Sequence, residues 1–100
     1  MKVGDIITYA HHYSARIPEF ARVIKATEKS VWLEHLDKKW VSHDGYGQNG
    51  DRVPNFEGPT RPFKGCFRIK TRKDGTEFIK VNSYCYGYIW DGTPEAEWTD

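Results

Sequence analysis

The sequence contains few cysteines. Of its 100 residues only Cys66 and Cys85 are cysteine, and neither has a second cysteine two to four positions away. Zinc sites usually show paired ligands at that spacing, and the adjacent His11 and His12 point apart on an extended chain. Residues 43–51 lack the alternating oxygen ligands and closing glutamate of a calcium loop. We therefore expect no metal site and no cofactor.

Long apolar runs are also missing. The first ten residues, MKVGDIITYA, contain no apolar segment of the kind found in a signal peptide. No run approaches the roughly 20 apolar residues that a membrane-spanning helix needs. We therefore expect a cytoplasmic protein without membrane contact, complete as a small gene product, whose two thiols stay reduced.

A large net charge is the third absence. Fifteen Lys and Arg face fourteen Asp and Glu, which leaves a formal charge of +1 and argues against a protein that is basic all over. The charge is unevenly distributed, however. Residues 61–80 contain seven cations and two acids, a balance of +5, whereas residues 91–100 contain four acids and no cation, a balance of −4. We expect the first segment to be a candidate binding surface and the second to be an acidic tail.

Short β-rich runs separated by turns make up much of the chain. A helix is the rival interpretation of residues 19–27, because Phe20, Val23 and Ile24 fit a helical spacing. The period-two alternation of the next run, SVWLEHL, and the short polar link between the two favour a hairpin instead. The strongest hairpin turn is Asp74-Gly75. These patterns predict strands at 5–10, 19–27, 31–36, 64–72, 77–84 and 85–90.

Two segments are predicted to be loops. Residues 11–18 are polar and end in a proline, and residues 37–63 carry four Gly and three Pro. A connection as long as the second is typical of a functional or mobile loop, and it contains one candidate short strand near residues 40–41. Five or six short antiparallel strands without a helix pattern predict one all-β domain over residues 1–100. We expect a small SH3-like barrel with a long loop at 37–63, and an OB-like barrel is the alternative.

A family resemblance rests on these strand and turn patterns. The chain reads VGDI, then F-x-x-V-I-K-A-T-x-K-S-V-W-L, then a basic strand, a DG turn, an aromatic strand and WDG. This order resembles a group of small phage- and plasmid-encoded β-barrel proteins with no assigned activity, over about residues 3–36 and 66–94. The resemblance implies an origin in a mobile element and a β-barrel fold, and it transfers no functional residues.

Catalytic chemistry is not indicated at either cysteine. Cys66 shares a predicted strand face with Arg68 and Lys70, but no histidine or oxyanion donor is indicated beside it. Cys85 lies in an apolar run, where a single cysteine usually acts as a small buried hydrophobe. We therefore name no catalytic residue and expect a protein that is not an enzyme.

Two kinds of binding surface remain. Tyr84, Tyr86 and Tyr88 alternate along one predicted strand and would share a face, and rigid aromatic rows suit protein contacts because they lose little rotamer freedom. Gly87, between them, would allow a close backbone approach. The first hypothesis is a non-enzymatic accessory protein, a monomer or small homo-oligomer, that binds a host or phage protein and modulates or inhibits a host factor. The candidate contact residues are Tyr46, Phe56, Tyr84, Tyr86, Tyr88 and Trp90.

The basic segment supplies the alternative hypothesis. Cations at period two share one face of a strand, where they can follow the phosphates of DNA or RNA while nearby rings stack on bases. A simple solvated outer face is the competing interpretation of the same pattern. The candidate nucleic-acid contacts are Arg68, Lys70, Arg72, Lys73 and Lys80.

Overall fold

Ten β-strands build the fold in a computed structural model of the chain, which describes residues 1–12, 15–43 and 49–99. No helix occurs in these ranges, and so none of them forms a helix long and apolar enough to cross a membrane. The prediction of an all-β domain is confirmed. The strands are β1 Ile6–His12, β2 Ala15–Ala26, β3 Ser30–His43, β4 Gly50–Asn55, β5 Arg61–Pro62, β6 Phe67–Arg68, β7 Lys70–Thr71, β8 Glu77–Lys80, β9 Tyr86–Ile89 and β10 Glu95–Thr99.

Four of these strands close into a small barrel. β2 pairs with β3, β3 with β4, β4 with β10, and β10 returns to β2, always antiparallel. Register shifts between Val23 and Lys25, and between Trp40 and Ser42, mark irregular pairing, and such bulges increase the local bend of a strand. This strong bending allows a ring of only four strands to close. The predicted small barrel is therefore confirmed, although the described strands number ten rather than five or six.

The other strands extend the sheet beyond this ring. β1, β9, β8 and β7 follow β2 in the sheet order, while β5 and β6 pair with β3. The main hydrophobic core joins side chains of β1, β2, β3 and β8, against which Phe63, Phe67 and Ile69 pack. Its fully buried members are Ile7, Ala21, Val23, Val31, Leu33 and Ile79.

The hairpin of β2 and β3 is formed as predicted, and the helical alternative is wrong. Phe20 pairs with Leu36 and Val23 with Leu33, so the two apolar positions of each strand face opposite sides of the sheet. The turn is closed at its base, where the Thr27 N–H donates to the Ser30 carbonyl at 2.8 Å. Side-chain alternation, rather than residue type alone, identified this element.

The loop predicted at 11–18 is wrong for its described residues, 11–12 and 15–18; residues 13–14 lie outside the described part of the chain. β1 continues to His12 and β2 already begins at Ala15, with Pro18 inside β2 and paired with Ala10. A proline is tolerated here because β2 is paired on one side only at this position: its pairing with β10 ends at Arg16 and its pairing with β3 starts at residue 20.

The long loop predicted at 37–63 is also largely wrong. β3 runs on to His43, which includes the short strand expected near residues 40–41, and β4 and β5 follow. Pro54 lies in β4 opposite Lys38, at a point where β4 has left its pairing with β10. Proline therefore marks a place of one-sided pairing in this segment, and the tally of proline and glycine overstated its irregularity in the described part. Residues 44–48 of the predicted loop lie outside the described residues.

The basic run predicted as one strand at 64–72 is divided. β6 pairs with β3, whereas β7 pairs with β8 across the Asp74-Gly75 turn. Ile69 lies between β6 and β7, where the pairing partner changes, and its N–H donates to the Lys29 carbonyl at 2.8 Å. The predicted turn is confirmed, with Gly75 at a φ of 90° that favours glycine.

The acidic segment 91–100 is not a tail. Residues 95–99 form β10, which pairs with both β2 and β4 and completes the ring. Side chains on three strands of the ring meet around one of its acids: Glu97 Oε1 lies 3.0 Å from Lys38 Nζ and 3.2 Å from Arg52 Nε. Carboxylates of the predicted acidic tail thus take part in closing the barrel.

Gly87→Ala is expected to destabilise the protein by about 1–3 kcal/mol, the usual effect of overpacking a core. A Cβ at this position would lie 2.7 Å from Ile7 Cγ2 and 3.1 Å from Ile79 Cγ1. Both neighbours are fully buried and cannot move aside. Urea unfolding measures the effect, with Ser83→Ala, an exposed nearby position, as the control. Equal unfolding midpoints for the two variants would contradict the predicted close approach.

Candidate nucleic-acid interface

Strand pairing collects rings and cations on one face of the sheet. Lys70 pairs with Phe78, Phe78 with Tyr88, and Lys80 with Tyr86, and residues paired in this way project to the same side. The alternate residues of these strands, Ile79 and Gly87, turn to the core. We call this surface the aromatic-basic face and define it by Lys70, Arg72, Phe78, Lys80, Tyr86 and Tyr88.

The rings of this face form one connected group. Phe78 stands edge-on to Tyr86, with ring centroids 5.8 Å apart, and its centroid lies 6.0 Å from that of Tyr88. Tyr86 is 48% exposed, and Tyr84, just beyond the end of β9, is 92% exposed. The tyrosines at 84, 86 and 88 therefore turn away from the core, whereas Cys85 between them is buried. Flat ring surface is available to a planar ligand.

Arg72 is the cation of this face that contacts its rings directly. Its guanidinium carbon lies 5.0 Å from the Tyr88 ring centroid and 5.6 Å from that of Phe78, and its Nη2 donates a hydrogen bond to the Tyr88 hydroxyl oxygen. This arrangement is a cation–π contact and leaves the other guanidinium donors free for a ligand. The side chain is thereby held along the rings and not extended into solvent.

The cations of the face lack acidic partners. Among the described residues, no carboxylate oxygen lies within 4 Å of the charged nitrogens of Lys70, Arg72, Lys73 or Lys80. The nearby Asp74 is engaged in its own turn, where its Oδ1 accepts the Thr76 N–H at 2.9 Å. Hydrogen bonds from Thr76, followed by the charge of Arg72, lower the pKa of Asp74. The cations of the aromatic-basic face consequently keep their positive potential.

A groove borders the tyrosines. It has a volume of about 270 Å³ and is flanked on its far side by Arg16 and Glu95. Arg16 Nη2 lies 3.5 Å from Glu95 Oε1, and the guanidinium also donates to the Ala96 carbonyl. The charges of this wall therefore balance each other, in contrast to those of Lys70 and Lys80 in the aromatic-basic face.

Other predicted contact residues are not members of this face; of these, Arg68 adjoins it, because β6 contacts β8, and the others lie away from it. Arg68 is in β6, paired with β3, and Phe56 follows β4, which β10, β2 and β1 separate from β9 in the sheet order. Trp90 packs edge-on against Phe20 at 5.7 Å and donates from Nε1 to the Thr93 carbonyl at 2.7 Å. Tyr46 lies outside the described residues.

The two cysteines are placed differently. Cys66 is exposed, whereas Cys85 is 2% exposed and has its Sγ 3.4 Å from both the Ala10 carbonyl oxygen and His11 Nδ1. In the described ranges no three His, Cys, Asp or Glu side chains are grouped to hold a metal ion.

Sequence reasoning missed one member of the aromatic-basic face, Phe78, and one residue of the adjacent groove, Arg16. Phe78 was taken only as part of a strand, although the Asp74-Gly75 turn sets the register that places it opposite Lys70. Arg16 was assigned to a loop. The hairpin register was therefore the signal that would have joined the tyrosine row and the basic run into one surface.

Comparisons with known proteins add no assignment at this point. The chain matches no protein-family model, no curated protein and no solved structure. The function therefore has to be argued from the geometry of the aromatic-basic face.

Proposed function

We propose that the chain binds single-stranded nucleic acid on the aromatic-basic face. The observation that supports this function is the strand register, which sets the unpaired cations Lys70 and Lys80 beside the rings of Phe78, Tyr86 and Tyr88. Proteins that bind single strands combine a cationic path for the phosphates with rings on which successive bases stack.

The form of the surface favours single strands over duplexes. Its rings belong to strands of the sheet and are half-buried or exposed, as a platform for unstacked bases requires. Bases held inside a duplex present only their edges, which such a platform does not contact. Stacking is possible for every base, so we expect little sequence preference.

The overall charge does not oppose this function. Although the chain is nearly neutral, many of its acids are paired within the fold: Glu97 with Lys38 and Arg52, Glu95 with Arg16, and Glu34 with Arg22. The described cations of the face have no such partner. Local potential, and not net charge, governs attraction at short range because salt screens charges beyond about 8 Å.

Fluorescence anisotropy tests the proposal with labelled oligo(U) RNA and oligo(dT) of about 12 nucleotides, within the usual site sizes. We expect binding at low salt that weakens steeply as salt rises. Tyr86→Ala should weaken binding about tenfold, equivalent to about 1.4 kcal/mol, which lies within the range for one stacked base. Lys80→Gln should reduce the slope of log K against log salt by about 0.7, the value for one phosphate on a single strand.

Lys39→Gln is the matched control, because it removes the same charge from an exposed position of β3 that pairs with Val53 of β4, away from the face. It should leave affinity and slope unchanged. No binding of either oligonucleotide at low salt, or equal losses for Lys80→Gln and Lys39→Gln, would refute the proposal.

A protein partner, such as a host or phage protein, is the second candidate. The observation in its favour is the 92% exposure of Tyr84 beside the groove, since exposed tyrosine is typical of protein contact sites. A contact dominated by packed rings would persist at moderate salt. The salt titration therefore separates the two candidates.

A further inference from the structure

A second cavity, of about 380 Å³, shares Tyr9 with the groove beside the tyrosines but contains no residue of the aromatic-basic face, so it is independent of the proposed function. Its walls come from β1, β2, β3, β5 and the residue after β5, whereas the aromatic-basic face is built from β7, β8 and β9. The volume is at the lower end of the range for small-molecule sites. Its lining combines two aromatic rings, two histidines, a carboxylate and a guanidinium.

The carboxylate of this cavity is already engaged. Glu19 Oε2 lies 3.1 Å from His35 Nε2, and its Oε1 lies 3.4 Å from Lys38 Nζ. Its negative charge is therefore balanced by Lys38 within the fold. The contact with Glu19 also holds the His35 ring in position at the cavity wall.

Two donors in the cavity have no partner of their own. Tyr9 is 8% exposed, yet no hydrogen bond joins its hydroxyl to another residue of the described chain. Burial, and next the charge of Glu19, raises the pKa of Tyr9 to about 12, so the hydroxyl remains a neutral donor. Arg61 is exposed, and no carboxylate oxygen among the described residues lies within 4 Å of its guanidinium. Among the described residues no fully buried side-chain oxygen or nitrogen lacks a hydrogen-bond partner, so the Tyr9 hydroxyl opens into the cavity, where a ligand can accept from it.

An aromatic wall accompanies these donors. The Phe63 ring centroid lies 6.2 Å from that of His35, and Phe63 stands edge-on to Phe67 at 5.5 Å. Because Phe63 also packs against the main core, its ring is held in place. Arg61 pairs with His35 across β5 and β3, which sets the cation next to this wall.

We propose that this cavity binds a small aromatic anion. The planar ring of the ligand lies against Phe63, and its carboxylate or phosphate accepts hydrogen bonds from the Tyr9 hydroxyl and the Arg61 guanidinium. An anion satisfies both unused donors at once, whereas a cation would meet Arg61 unfavourably. Arginine can bind either anion, because two parallel N–H groups of its guanidinium can donate to two oxygens of a carboxylate or of a phosphate.

The test titrates the full chain with 4-hydroxybenzoate and with uridine 5′-monophosphate. Each compound combines a planar ring with an anionic group, which is a carboxylate in the first and a phosphate in the second. Uridine supplies a ring without the anion, and inorganic phosphate supplies the anion without a ring. Binding is followed by amide resonances in 1H–15N spectra. We expect one or both aromatic anions to shift the resonances of Tyr9, His35 and Phe63 more strongly than either control compound.

Variants locate the site. Arg61→Gln should weaken this binding about tenfold, and Tyr9→Phe, which removes only a hydroxyl without a partner, should weaken it several-fold. Arg68→Gln removes an equal charge outside the cavity and should bind as the native chain does. Three results would overturn the proposal. Neither aromatic anion binds, or Arg61→Gln binds with the affinity of the native chain, or the loss of binding is caused by Tyr86→Ala instead. The oligonucleotide assay should be unaffected by Tyr9→Phe, so the two proposals fail separately.

Discussion

Phe20→Ala is expected to destabilise the protein by about 3–5 kcal/mol, the usual loss for a buried phenylalanine. Phe20 is fully buried and pairs with Thr8 on one side and Leu36 on the other. Trp90 covers it edge-on, with ring centroids 5.7 Å apart. Truncation would leave a cavity where the four-stranded ring meets the sheet extension, and both parts would lose packing.

Thermal unfolding measures this effect. A domain of this size loses roughly 4–8 °C for each kcal/mol, so the midpoint should fall by about 12 °C or more. Ile24→Ala is the matched control, since Ile24 belongs to the same strand but is 45% exposed. It should change stability by less than about 1 kcal/mol. Similar midpoints for the two variants would show that Phe20 does not anchor the junction.

Glu97→Gln is expected to destabilise the protein by about 2–4 kcal/mol at neutral pH. The Glu97 side chain is 12% exposed, and those of Lys38 and Arg52 are 17% and 16% exposed. The substitution keeps the shape but leaves the partly buried Arg52 without its counter-charge, and Lys38 with Glu19 alone. Arg52 also lies 3.6 Å from the Trp40 ring centroid, so its displacement would disturb the packing of the ring.

The pH dependence of stability checks the same group. Burial alone would raise the pKa of Glu97, but hydrogen bonds from Lys38 and Arg52, together with their charges, outweigh it and lower the pKa from 4.5. A carboxyl with a lowered pKa in the folded state contributes its full stability above its unfolded pKa, and this is lost as the pH falls through the folded value. Stability of the native chain should therefore fall below about pH 4.5 more steeply than that of Glu97→Gln.

Glu95→Gln is the control for both measurements. Glu95 lies 3.5 Å from Arg16, and the two side chains are 23% and 24% exposed. The loss should stay below about 1 kcal/mol, because ion pairs open to solvent contribute little. If Glu95→Gln and Glu97→Gln were equally stable, the central place given to Glu97 in the ring would be wrong.

Local patterns predicted the hairpins but not the way in which they assemble. The alternation of Val31 and Leu33 and the turn at Asp74-Gly75 determine side-chain direction within a few residues, and both were read correctly. Ring closure depends instead on pairing between β10 and β2, about 80 residues apart, for which a single sequence holds no local signal. Proline misled at residues 11–18 and 37–63 because Pro18 and Pro54 lie where a strand is paired on one side only.

The candidate site was predicted in parts that stayed separate. The tyrosine row at 84, 86 and 88 and the cations at 70, 72, 73 and 80 were each recognised, yet they supported different hypotheses. Their union on one face comes from the register of β7, β8 and β9. The cavity near Tyr9 could not be predicted, because its walls come from four strands distant in sequence.

The position of β10 in the ring has a consequence for biosynthesis. Residues 15–43 emerge from the ribosome well before residues 95–99, so the growing chain exposes the pairing edge of β2 and the charged groups of Lys38 and Arg52 without their eventual neighbours. Contacts between segments so far apart in sequence also form slowly, because the intervening chain must first be ordered. Co-translational folding of the ring must therefore wait for β10, and until then the β2–β3 hairpin is the part of the ring whose pairing can already form.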